Sequence, residues 1–314
     1  MHKELIIAIF FGSLLGLAVA FSVWMASNTL LSTSDQATNT GQQTPSPKPT
    51  NSKAEDFVIN FENYSVVSES PVLIAGKTSP KALVIASTKN QDYLTSADEA
   101  GAFKFEIGVS GGLNQVTFFS VNSSGLIEEK KLAVIFSTLV SKNKMENSNN
   151  DNFHAYLGSV TDITDTSFQM KSDDGDIKQV TFSNTTTVVN IVSKIKEATT
   201  KDLAIGDYVI AMGVVGENDI LNASRVLVTI QDKEIIVKAV FGTISEINKK
   251  ILQINGYQLP IQVLLASDIF EADSQNVEKK KKLTFSNLKE EQLVLITGTQ
   301  AENVLEVKSL FVID

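Results

Sequence analysis

The sequence predicts a mainly β protein carried behind one N-terminal membrane helix, and three observations predict it. First, a stretch is written twice: residues 157–163 (Leu-Gly-Ser-Val-Thr-Asp-Ile) return at 241–247 (Phe-Gly-Thr-Ile-Ser-Glu-Ile), and 221–228 return at 305–312, both 84 positions apart. A constant offset marks two copies of one folding unit, each large enough only for a small core. Second, apolar residues downstream of residue 56 alternate with polar ones at period two, the signature of half-buried strands. Third, the 22 residues from Leu5 to Ala26 carry no charge, enough to cross a bilayer as a helix.

The N-terminal segment sets the expected location. Lys3 and the α-amino group precede it, Trp24 stands where an interfacial aromatic belongs, and the next charge is Asp35, so the positive-inside tendency gives an N-in, C-out single pass. Residues 1–26 are read as this anchor, with secretion after cleavage near Ala20, within Ala18-Val19-Ala20, as the alternative. The chain partners the membrane through residues 5–26, and its bulk is expected to be extracytoplasmic. Residues 27–55, rich in Ser, Thr, Asn, Gln and Pro, have too little apolar surface to fold and read as a stalk. Residues 141–153 have the same polar character and read as a linker.

Between them, 56–140 forms the first globular unit. Phe103, Phe105 and Ile107 fall on one face of a strand, as do Val116 with Phe118, and Leu132 with Val134 and Phe136. Turn signals at Gly76–Pro80, Lys89–Asp92, Ala97–Gly101, Gly111–Asn114 and Asn122–Gly125 divide about seven short strands, the spacing of a sandwich. Pro71-Val72-Leu73-Ile74-Ala75-Gly76, then Ala82-Leu83-Val84-Ile85, Gly101-Ala102-Phe103-Lys104-Phe105, Gly112-Leu113-Asn114-Gln115-Val116-Thr117-Phe118 and the Asn122-Ser123-Ser124-Gly125 turn resemble the bacterial Ig-like domains of surface proteins. That resemblance implies an Ig-like β-sandwich acting as a spacer or adhesion module, without an active site.

The two copies, 154–230 and 236–314, read as strands throughout. Gly158-x-Val160, a hairpin turn at Asp173–Asp176, the run Gly206-Asp207-x-Val209-x-Ala211-x-Gly213 and a closing strand from Leu221 to Val228 resemble small extracytoplasmic bacterial β-barrel repeats of undefined function. The resemblance implies two related OB-like barrels. The second copy departs from the pattern, with Glu291 and Gln292 at the places of Gly206 and Asp207, while Leu288, Val294, Ile296 and Gly298 are kept. Gly-Asp is read as turn chemistry in which the Asp side chain caps backbone amides.

Composition narrows the chemistry. No cysteine is present, which removes disulfides, thiolate nucleophiles and Cys-based metal sites. A net charge of −9 disfavours nucleic acid as a partner. The histidines are His2 and His154, too few for a His-based metal site or a Ser/His/Asp triad. His154 is expected in a linker or at a strand edge. Asp173-Asp174-Gly175-Asp176 fits a tight hairpin turn better than a calcium loop. The Asn-x-Ser/Thr triplets at Asn63, Asn122, Asn184 and Asn222 are what an Asn- and Thr-rich chain generates by chance.

The chain therefore reads as a membrane-anchored structural or adhesive protein, beads on a tether, with no catalytic residue, cofactor or metal assigned. Candidate partners are cell-wall or surface polymers and other surface proteins. Lys279, Lys280, Lys281 and Lys282, expected in a loop, are the candidate contacts of an alternative reading as a receptor for an anionic polymer. A hydrolase in the barrel pair is a further alternative.

Overall fold

The structure is a computed structural model and describes residues 56–138, 153–192, 195–231, 235–273 and 276–313. The expected membrane helix, the stalk and nearly all of the 141–153 linker lie outside these residues. Among the described residues no helix is long and apolar enough to cross a membrane.

The first body holds β1 (Val58–Ile59), β2 (Ser65–Val67), β3 (Val72–Lys77), β4 (Leu83–Ser87), β5 (Asp92–Ser96), β6 (Ala102–Ile107), β7 (Gly112–Val121) and β8 (Ile127–Phe136). Two sheets, β1-β3-β6 and β2-β8-β7-β4-β5, face each other across one core. The predicted alternation supplies that core: Phe103, Phe105, Ile107, Val116, Phe118, Leu132 and Val134 are buried together. Gly76 lies within β3 rather than in the turn expected there, and it is glycine because the Phe103 ring and the Val58 carbonyl occupy the space a Cβ would need.

The first copy of the repeat holds β9 (Phe153–Ile163), β10 (Ser167–Ser172), β11 (Ile177–Asn190), β12 (Lys196–Ala198), β13 (Tyr208–Val215) and β14 (Leu221–Thr229). The second holds β15 (Val237–Asn248), β16 (Ile251–Ile254), β17 (Ile261–Asp273), β18 (Asn276–Lys282), β19 (Leu293–Ala301) and β20 (Val304–Ile313). Each closes on itself in the same order, β9-β10-β11-β14-β13-β9 and β15-β16-β17-β20-β19-β15, with the third and last strands parallel. Closure leaves few free edges, which is how a small sheet protects its ladder.

The duplication reaches individual hydrogen bonds. In β11 the ladder to β14 breaks between Phe182 and Thr187, and in β17 the ladder to β20 breaks between Val263 and Asp268. In the first bulge the Ser183 N–H donates to Thr186 Oγ1 at 2.9 Å, and that hydroxyl donates to the Ala223 carbonyl at 2.6 Å. In the second, the Leu264 N–H donates to Ser267 Oγ at 2.9 Å, and the hydroxyl donates to the Val307 carbonyl at 2.6 Å. Gly213 and Gly298 occupy matching places beside the carbonyls of Asn222 and Glu306, so close that a side chain would collide with backbone.

The three bodies do not behave as separate beads. Ser65 of β2 pairs with His154 of β9, joining the sandwich sheet to the first barrel. A core of Val66 and Ile135 with Ala155, Leu157, Ile210, Met212 and Leu227 spans that junction. A second core joins Ile85, Leu94, Phe119 and Val121 of the sandwich to Leu295 and Phe311 of the second barrel. Both barrels turn the same outer face inward. Leu157, Ile210 and Leu227 are neighbours across β9, β13 and β14, and Phe241, Leu295 and Phe311 are neighbours across β15, β19 and β20.

Candidate functional site

The lysine run is a strand, which corrects the expected loop. Lys279–Lys282 belong to β18, whose partner is β17, with Phe270 opposite Lys282 and Glu271 opposite Lys281. Four lysines at the rim of a sheet disfavour further strand pairing, and two of them already face acids. Lys281 Nζ lies 3.3 Å from Glu271 and Lys282 Nζ lies 3.1 Å from Asp268. Lys280 Nζ sits 4.9 Å from the centroid of the Phe270 ring, a cation–π placement. The patch is therefore a neutralised rim more than a bare cationic surface, although all four lysines are exposed.

The acidic turn is built as its sequence suggests. Gly175 has φ +97°, the Ser172 N–H donates to the Asp176 carbonyl at 2.8 Å, and Ser172 Oγ donates to Asp174. The Ser172 hydroxyl first, and then the Asp176 backbone N–H, hold the Asp174 carboxyl below the usual carboxylate range. Asp173 accepts from Tyr208 Oη at 2.7 Å and from Gln231 Nε2 at 2.9 Å, so it braces the barrel. Among the described residues no group of three His, Asp or Glu could hold a metal ion.

Asp207 caps, as its place in the turn implied: the Ala204 N–H donates to Asp207 Oδ2 at 2.9 Å. In the second copy the Lys289 N–H donates to Gln292 Oε1 at 2.7 Å. Glu291 takes the left-handed backbone of Gly206, with φ +71° against +96°. The departures in sequence thus preserve the turn. His154 lies inside a sheet rather than in a linker or at an edge, paired with both Ser65 and Gly213, and its Nε2 is 3.7 Å from Glu62.

Two features escaped the sequence. The first is a polar lock between sandwich and second barrel. Asp92 is 6% exposed; its Oδ1 accepts from Ser87 Oγ and from Lys308 Nζ, each at 2.7 Å, and its Oδ2 accepts from Thr297 Oγ1. Lys308 also donates to the Thr88 carbonyl. Asp92 and Lys308 stand far apart in sequence, one in an expected turn and the other in a repeated segment, and neither place pointed to the other.

The second is a groove of about 370 Å³ on the first barrel, lined by Gln169, Ile177, Lys178, Gln179, Asn218 and Asp219. β10 and β11 form its floor, and the 3-10 turn Glu217–Asp219 forms one wall. Asn218 and Asp219 both have φ +57°, consecutive left-handed residues that cost backbone energy without glycine. Tyr156 Oη donates to the Asp219 carbonyl at 3.0 Å, pinning this turn. Burial, and then the Asp219 carboxylate, push the Tyr156 phenol above its ordinary value. Lys178 Nζ lies 5.5 Å from the Tyr156 ring centroid and 3.8 Å from Asp176. A groove of about 400 Å³ on the second barrel is lined by Glu246, Asn248, Lys249, Ile251, Gln253 and Pro260.

No family model matches the sequence, and a comparison with curated proteins gives no significant match.

Proposed function

We propose that the chain is a membrane-anchored extracytoplasmic structural or adhesive protein built from non-catalytic β modules. The observation that carries this reading is the packing of one outer face of each barrel against the sandwich, through two cores that each span a junction. Such packing makes a stiff body in which β10 and β16 supply no residue to either junction core. The uncharged segment from Leu5 to Ala26 and the polar residues after it supply an anchor and a stalk for that body, N-in and C-out. The likeness of residues 71–125 to bacterial Ig-like domains, and the strand order of the barrels, which is that of a five-stranded OB-like barrel, fit a recognition or spacer role. Fold alone assigns no chemistry.

A receptor for an anionic polymer is the second reading, and the exposure of Lys279–Lys282 favours it. Both readings meet in one experiment. Full-length chain in membrane vesicles is treated with protease from outside and, separately, sedimented with purified wall polymers at low and high salt. External digestion of the 56–313 body and salt-insensitive retention support the adhesive reading. Protection from digestion removes the proposed orientation. Retention that disappears with salt, and on reversal of Lys279–Lys282 to Glu, transfers the case to the anionic receptor.

A further inference from the structure

The two copies of the repeat act as internal controls for each other: what both keep serves the barrel, and what one copy alone elaborates calls for another explanation. Bulges, capped turns and inward faces are shared. Both barrels have a groove at this place, with Gln253 and Pro260 lining that of the second, but the rest of the lining is not shared. Gln169 has a counterpart in Gln253, but Gln179, opposite Gln169 in the β10–β11 ladder, is replaced by Pro260, and Tyr156 by Val240. The 3-10 turn at Glu217–Asp219 is replaced by a two-residue turn at Glu302 and Asn303. The first copy thus carries two successive left-handed residues held by a tyrosine hydroxyl, where a simpler turn serves the second.

The side chains that this turn and ladder bring together share one chemistry. Gln169, Gln179 and Asn218 offer amides, and Asp219 offers a carboxylate, all four exposed. An amide presents donors and an acceptor at a spacing that suits vicinal hydroxyls. Ile177, 58% exposed at the floor, supplies an apolar contact of the kind that the C–H face of a pyranose covers. Lys178 and Asp219 balance in charge, and the chain's net charge of −9 gives no attraction for a polyanion.

We infer that the groove formed by Gln169, Ile177, Gln179, Asn218 and Asp219 on the first barrel is a binding site for a neutral glycan. It rests on the adhesive reading and names the ligand class that the reading leaves open. A single shallow groove with exposed amides gives weak monovalent affinity, and adhesion through it gains strength from many copies on one surface.

The test uses the full-length chain in detergent, titrated with chitotetraose, cellotetraose and maltotetraose, followed by isothermal calorimetry and by amide chemical shifts, at low and high salt. At least one neutral oligosaccharide is expected to bind without salt dependence. The double variant Gln179→Ala/Asn218→Gly is expected to weaken that binding about tenfold or more, with its melting temperature kept, since both side chains are exposed and glycine accepts the φ of residue 218. Gln253→Ala in the second barrel is expected to bind as the wild type does. Absence of binding to all three oligosaccharides overturns the inference, as does binding that survives the double variant. Binding lost with salt and with Lys279–Lys282 reversal overturns it in favour of the lysine strand. Sedimentation of the same double variant with wall polymers separates the two levels: retained sedimentation without oligosaccharide binding leaves the adhesive reading standing alone, and loss of both in the wild type removes both.

Discussion

At the scale of single residues, Asp92 concentrates the largest electrostatic stake. Its carboxylate is buried and satisfied by Ser87, Thr297 and Lys308, so removing one partner leaves the other charge with nothing equivalent to meet. Asp92→Ala is expected to destabilise the protein by about 3 kcal/mol, read from denaturant midpoints. Asp92→Asn combined with Lys308→Met is expected to recover most of that loss, because a buried ion pair and a well-packed neutral pair are often close in free energy. Additive losses would show that the two side chains do not act as a pair.

Glu291 makes the opposite case. It holds φ +71° where the first copy has Gly206, and a left-handed conformation costs an L-residue about 1–2 kcal/mol, against the entropy cost of about 0.5–1 kcal/mol that glycine brings. Glu291→Gly is expected to stabilise by up to about 1 kcal/mol, again by denaturant midpoint. Tyrosines supply the pH dependence. Burial raises the phenols of Tyr64, Tyr156 and Tyr257, with Asp173 and Asp174 adding at Tyr64 and Asp219 at Tyr156. The unfolded chain then gives up these protons first as pH rises, so their contribution is complete below about pH 10 and is lost above it. Stability measured across that range should fall with rising pH, and less steeply in Tyr64→Phe and Tyr156→Phe.

At the scale of elements, the strands buried on both faces are where sequence and structure part. Period two was legible in β6, whose Phe103, Phe105 and Ile107 alternate cleanly with exposed Ala102, Lys104 and Glu106. It fails in β4, β13 and the last part of β20, where successive residues are buried. Leu310 and Val312 enter the barrel core while Phe311 enters the junction with the sandwich. The continuous apolar runs Leu83-Val84-Ile85-Ala86, Tyr208-Val209-Ile210-Ala211-Met212 and Leu310-Phe311-Val312 were the available signal, because a strand covered on both sides has no polar face to show. Which surface covers it lies outside any local pattern. The groove was illegible for a related reason: its walls come from β10, β11 and a turn some forty positions further on, joined by the parallel pairing of β11 with β14 and by the Tyr156 hydroxyl. Phe311→Ala is expected to cost about 3–5 kcal/mol, more than truncation of an exposed strand residue such as Leu73, and calorimetry of both variants checks the difference.

At the scale of the whole molecule, a duplicated unit has been used twice on the same central body. Barrel faces that match residue for residue differ where their partners differ. Met212, fully buried against apolar neighbours in the first junction, has Thr297 as its counterpart in the second, where it meets Asp92. The repeat itself, its offset and its closed β character were legible because copies betray themselves by spacing. The fusion of the copies with the sandwich was not, since 141–153 reads as a linker and a linker says nothing of what packs beyond it. Shared cores have a thermodynamic consequence: a body whose sandwich cannot expose Ile85 or Ile135 without uncovering a barrel should unfold as one unit, unlike a string of independent domains.

Differential scanning calorimetry of the full-length protein, with Phe311→Ala and Asp92→Ala run beside it, tests this fusion most directly. One transition, with matching calorimetric and van't Hoff enthalpies and both variants moving it whole, is the predicted result; separate transitions for sandwich and barrels, with each variant moving only one of them, would contradict it.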